Sequence, residues 1–164
     1  MYNNGYNPET LVYNYRRIGH GKARADAIRS AVSQADLNND IPYMIFFREE
    51  LCEESYWFVD ELDLVTVFPE LLAIIDKYPG TIPVSFQGGT NNILNTLNKY
   101  IYLLDVCTSF YQIPMEDCIN FHNDFMKRWL AYGRTARKAY QMFFDFYLEI
   151  GDLDNAAKFL HKLK

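Results

Sequence analysis

Residues 140–163 restrict the fold of this chain more than any other stretch. Tyr140, Phe143, Tyr147 and Ile150 recur at helical spacing. Gly151-Asp152 interrupts the pattern, and Leu153, Ala156, Leu160 and Leu163 restart it. An aromatic helix end, a two-residue break and a second helix opening on small residues read as a helical hairpin. Two earlier places echo this arrangement, Gly19-His20-Gly21 and Val59-Asp60. A chain that repeats such a unit is expected to stack it, because one hairpin cannot bury its apolar face alone.

The remaining helices follow from caps and breakers. Asn7-Pro8-Glu9-Thr10 starts the first, with Asn as cap, Pro in the first turn and Glu at the positive helix end. It should end near Ile18. The second, over 22–37, carries Ala23, Ala27, Ala31 and Ala35 on one face beside Ile28 and Val32, and Asn38-Asn39-Asp40 stops it. The third runs over 41–58 with Met44, Phe47, Leu51 and Phe58 on its apolar face. Asp60 caps a fourth, over 61–78, and Pro69 should kink it or split off its first turn. Residues 79–91, with Pro79, Gly80, Pro83, Gly88 and Gly89, form the longest break, and Val84-Ser85-Phe86 in it is a short extended candidate. The fifth helix spans about 91–111 on Ile93, Leu97, Ile101, Leu104 and Thr108. The sixth spans 114–131 on Cys118, His122, Phe125 and Trp129. The seventh and eighth cover 134–149 and 153–163. The expected class is all-α, about eight helices in stacked antiparallel hairpins. They form a single domain, 1–164, with possible halves 1–79 and 90–164 joined by 80–89.

Bulk properties narrow the function classes. A chain of 164 residues buries roughly 70% of its unfolded surface and needs no metal or disulfide to hold a core. Net charge is −5, which argues against general nucleic-acid binding. Residues 16–29 are basic, with Arg16, Arg17, Lys22, Arg24 and Arg29 against Asp26. Residues 36–63 carry nine acids against Arg48. The two blocks read as complementary faces of neighbouring helices, or as a charged docking surface. Cys52, Cys107 and Cys118 share no close spacing and fit small buried hydrophobes in a reducing compartment. No apolar run approaches the roughly 18 residues of a membrane span, and residues 1–7 lack an apolar signal core. A cytoplasmic protein is expected.

The last hairpin resembles the tetratricopeptide repeat. Tyr140, Phe143, Tyr147, Gly151, Ala156 and Leu160 match that family's positions, and Phe144 departs where the family prefers a small residue. The other pairs match loosely, and Gly19 and Val59 lie 40 residues apart where the family repeats at about 34. The resemblance implies a right-handed α-solenoid with a groove lined by the first helix of each pair, working as a protein- or peptide-binding scaffold.

Catalytic motifs are sparse. Gly19-His20-Gly21-Lys22 suggests a phosphate loop, but Arg16 and Ala23 stand where that motif needs Gly and Ser or Thr, and no strand precedes it. An anion at the second helix's N-terminus beside Lys22 is physically reasonable. His20, His122 and His161 form no metal-ligand spacing, and His122 reads as a hydrogen-bonded core histidine. Glu49, Glu50, Glu53 and Glu54 are the densest carboxylates and read as a solvated face.

The expectation is a non-catalytic scaffold with no cofactor or metal. It takes a protein or peptide partner, with no nucleic acid or membrane, and a homo-oligomer could form through the C-terminal helix. Groove candidates are polar or aromatic positions on first-in-pair helices: Tyr13, Arg17, Arg48, Tyr56, Asn98, Tyr102, Gln141 and Asp145. The alternatives are a small-molecule or signal-peptide sensor and an enzyme built around Glu53.

Overall fold

The computed structural model describes residues 5–81, 84, 93–109 and 112–164. They form eight α-helices: α1 (Pro8–Arg16), α2 (Lys22–Leu37), α3 (Ile41–Phe58), α4 (Leu64–Lys77), α5 (Ile93–Ser109), α6 (Met115–Ala131), α7 (Ala136–Glu149) and α8 (Leu153–Leu163). Among the described residues there is no strand, and no helix is long and apolar enough to cross a membrane. The chain divides into two compact units, Met1–Asn92 and Ile93–Lys164. Most of the expected break at 79–91, with Ser85 and Phe86 of its extended candidate, lies outside the described residues. So do the expected ends of helix five at 91–92 and 110–111.

Local chemistry sets the helix starts. The Asn7 side chain accepts from the Thr10 N–H at 3.0 Å, and Pro8 occupies the first turn of α1. Asp60 Oδ1 accepts from the Leu62 N–H at 3.0 Å, but it caps a 3-10 turn, Glu61–Asp63, that leads into α4. Helix α4 then runs through Pro69. Asp152 accepts from the Asn155 backbone at 3.1 Å and from its side chain at 2.7 Å, opening α8. Gly151 before it sits at φ +78, which closes α7 in the left-handed region that glycine tolerates.

In unit 1, α3 is the central element. It packs against α2 on one side and α4 on the other. That explains why Tyr43, Ile45, Phe46, Phe47, Leu51 and Cys52 are all buried, far more than one helical stripe. Helix α2 buries Ala25, Ile28, Ala31 and Ala35, whereas Ala23 is exposed, so its face is turned from the expected one. Helices α2 and α3 are antiparallel, since Asp36 meets Arg48 and Arg24 meets Glu54. Helix α1 and the turn after it instead run beside α3 in the same sense. Tyr6–Asp40, Arg16–Glu50 and His20–Glu54 are each 34 residues apart, as is Arg29–Asp63 from α2.

Unit 2 is held by rings. Helices α5 and α6 are antiparallel, with Tyr100 donating to Asp124 at 2.9 Å and Cys118 reaching the Cys107 carbonyl at 3.8 Å. His122 of α6 packs on Phe143 and Phe146 of α7, with centroids 5.3 and 4.4 Å away. Helix α8 closes on α7 through Phe159, stacked on Phe143 at 4.6 Å and 7°. Leu160, the large residue of the repeat pattern, is 42% exposed, and Ala156 is the buried contact of α8. Helix α5 also touches α7, as α1 meets α3 through Tyr15–Glu50, Arg16–Glu50 and Tyr15–Phe47 in unit 1.

Candidate functional site

The expected groove residues fall into unlike surroundings. Tyr13 is 63% exposed on α1, with the Arg17 guanidinium 5.4 Å over its ring. Tyr56 is half-buried against Trp57, at 4.8 Å between centroids. Asn98 is exposed and Tyr102 half-buried on α5. Gln141 and Asp145 hydrogen-bond to one another at 2.8 Å along α7. Arg48 is drawn inside unit 1, at 7% exposure. Its guanidinium grips Asp36 bidentately, 2.8 Å at each oxygen, donates to the Met44 carbonyl at 3.2 Å and lies 3.5 Å from Glu70. Burial works against its charge, but Asp36 and Glu70 outweigh it and hold its pKa above the ordinary value. Tyr13 with Arg17, and Gln141 with Asp145, are brought together. Arg48 is turned toward the α2–α3 seam.

The opposite charge blocks seen in the sequence meet in unit 1. Arg16, His20 and Arg24 face Glu50, Glu53 and Glu54 across a cavity of about 350 Å³, with Ile28 and Phe58 as its apolar wall. The four clustered carboxylates of α3 do not form one solvated face: Glu49 and Glu54 are buried, Glu50 is half-buried and Glu53 is exposed. Glu54 is 3% exposed and is the hub. One oxygen accepts from the Gly21 N–H at 2.7 Å, and the other lies 2.8 Å from His20 Nδ1 and 3.4 Å from Arg24 Nε. The anion that meets the N-terminus of α2 is therefore the chain's own carboxylate. Gly21, at φ +130, lets the backbone turn its N–H toward it.

Around this hub the side chains are fixed. The His20 ring stacks on Phe58 at 4.0 Å and 15°. The Tyr15 hydroxyl donates to Glu50 at 2.9 Å, and the Arg16 guanidinium reaches the same oxygen at 3.4 Å. Burial, with Glu50 adding to it, pushes the Tyr15 hydroxyl well above its usual pKa, so it stays protonated and donates. Glu50 and Glu54 are each bound to a cation, and the described lining holds no Ser, Thr or Cys for a histidine–carboxylate pair to activate. The cavity sets cationic and anionic side chains beside an aromatic wall. Only the signs of the two blocks were visible in the sequence, not which carboxylate would be the hub.

Unit 2 holds a second cavity, of about 260 Å³, lined by Cys107, Cys118, Met115, Phe146 and residues of the loop before α6. All three cysteines are buried and none is in a disulfide, and burial pushes the thiols of Cys107 and Cys118 above their ordinary pKa. His122 donates Nδ1–H to the Cys118 carbonyl at 2.8 Å, as a hydrogen-bonded core histidine does, while its buried Nε2 has no partner. Burial lowers its pKa to about 4, so the ring is neutral. Among the described residues no three His, Cys, Asp or Glu side chains are grouped to share a metal ion.

No protein-family model, curated protein or solved structure matches the chain.

Proposed function

We propose that the chain is a non-catalytic scaffold of tetratricopeptide-like kind, which holds a protein or peptide segment against the charged cavity of unit 1. The observation that carries this reading is the side-by-side run of α1 and α3 in one register of 34 residues, with the cavity at its end. A 34-residue offset is the length of a tetratricopeptide repeat, and first helices set side by side are that architecture's ligand-facing layer. Pairing of Glu50 and Glu54 with cations supports recognition rather than acid–base chemistry. Phe58 walls the cavity and is half exposed, and its neighbour Trp57 is more exposed still. Exposed aromatics of this kind are preferred anchors at interfaces.

Selection from a random-peptide display library tests the reading. Enriched peptides should bind the native chain, and Phe58→Ala should weaken them about tenfold with little change in melting, as loss of an interface anchor does. Absence of enrichment, or peptides indifferent to Phe58→Ala and Trp57→Ala alike, overturns it. The small-molecule sensor is the second reading, since the cavity volume is of the order seen for small-ligand sites. A ligand-dependent rise in melting temperature that Phe58→Ala removes, with no peptide bound, selects it.

A further inference from the structure

The cavity of unit 2 gathers sulfur. Cys107 lies in the last turn of α5, and Met115 opens α6. Cys118 follows Met115 by three residues, on the same face. Antiparallel packing of α5 and α6 brings Cys107 to that face, where the Cys118 thiol lies 3.8 Å from the Cys107 carbonyl and both cysteines line the same cavity. Ile113, Pro114, Phe146 and Ile150 form an apolar wall with Gln112 at its edge, and the described lining contains no carboxylate or imidazole.

We propose that Cys107, Cys118 and Met115 form a binding site for a soft monovalent metal ion, Cu(I). Two thiolates with a thioether select Cu(I), whereas Mg(II) and Ca(II) demand oxygen ligands and a structural Zn(II) site needs four strong donors. On binding, each thiol gives its proton to solvent and forms one copper–sulfur bond. The Met115 thioether donates a lone pair, and copper stays in its +1 state, so no electron is transferred. Met115 is 47% exposed and provides the way in from solvent. The bound ion ties the end of α5 to the start of α6.

The test uses the full chain under anaerobic conditions, with Cu(I) supplied as its bicinchoninate complex. The native chain should withdraw one Cu(I), and excess Zn(II) should leave it in place. Cys107→Ser and Cys118→Ser should each weaken binding by about 100-fold and Met115→Ala by about tenfold, the span over which changes around a metal site act. Cys52→Ser, a buried thiol of unit 1, should bind as the native chain does. X-ray absorption of the copper-loaded native chain gives a readout independent of how the variants fold, and should show sulfur ligands alone. The proposal is overturned if the native chain takes no copper from bicinchoninate, if nitrogen or oxygen ligands are found, if Zn(II) displaces the ion, or if the folded Cys107→Ser and Cys118→Ser variants bind undiminished.

Discussion

The two units solve one packing problem with different chemistry. Unit 1 ties its helices by directed polar contacts: Arg16–Glu50, Arg24–Glu54, Arg29–Asp63 and Arg48–Asp36 each join separate elements. Unit 2 relies on ring faces, with Phe159 among Tyr140, Phe143 and Tyr147, and His122 between Phe143 and Phe146. Charged pairs fix which residue meets which, but contribute modestly once desolvation is counted. Rings supply more stabilisation with looser specification, because offset and edge-to-face geometries are close in energy. The unit that carries the charged cavity is thus the one whose alignment is most tightly specified.

Each unit carries one tryptophan, Trp57 or Trp129, so fluorescence of the matching Trp→Phe variants reads the units separately. The largest break in the comparison should come from Phe146→Ala. Its ring is fully buried, and such truncations cost about 3–5 kcal/mol. The transition followed by Trp129 should shift by that amount in denaturant titrations, well beyond the loss expected from Arg48→Ala in unit 1.

Acid gives the next largest effect, and it too belongs to unit 2. His122 has its pKa lowered from 6.5 to about 4 by burial. Between those values the unfolded chain binds a proton that the folded chain refuses, so stability falls as pH drops from 6.5 toward 4. The contribution is present in full above that window and amounts to at most about 3 kcal/mol. Melting of the native chain and of His122→Gln should differ in their slope against pH within the window. Equal slopes would show that another group is responsible.

The smallest measurable effect should come from the polar lattice. Arg48→Ala strands Asp36, but Asp36 and Glu70 are partly open to water, so the loss should be about 1–2 kcal/mol in the Trp57 transition. Arg48→Met, which keeps the buried stem, should recover part of it. Lys22→Ala, which removes an exposed pair with Asp26, should leave melting unchanged.

Helix number and limits were legible because their causes are local. Asn7, Asp60 and Asp152 all cap through their own side chains, and Gly151 breaks where expected. Helix faces were less legible. Ala25 rather than Ala23, and Tyr100 rather than Ile101, are the buried positions, because the neighbouring helices that a face packs on decide how far it is turned. In the candidate site, the opposite signs of the charge blocks announced that they would meet. Periodicity could not say that Glu54 would be buried on the turn before α2, or that Arg48 would face inward. A long charged side chain can lie along either side of its helix, and its partner's position, fixed by packing elsewhere, decides.

The common 34-residue spacing in unit 1 also determines which genetic changes that unit can absorb. Substituting one partner removes one contact. An insertion or deletion of one residue inside the first turns of α3, between Ile41 and Arg48, would rotate the rest of that helix by about 100°, and would misalign Arg16–Glu50, His20–Glu54 and Arg48–Asp36 in one step. Tolerance of length changes should therefore be lower in those first turns of α3, none of whose residues lines the cavity, than in the Asn38–Asp40 turn before them.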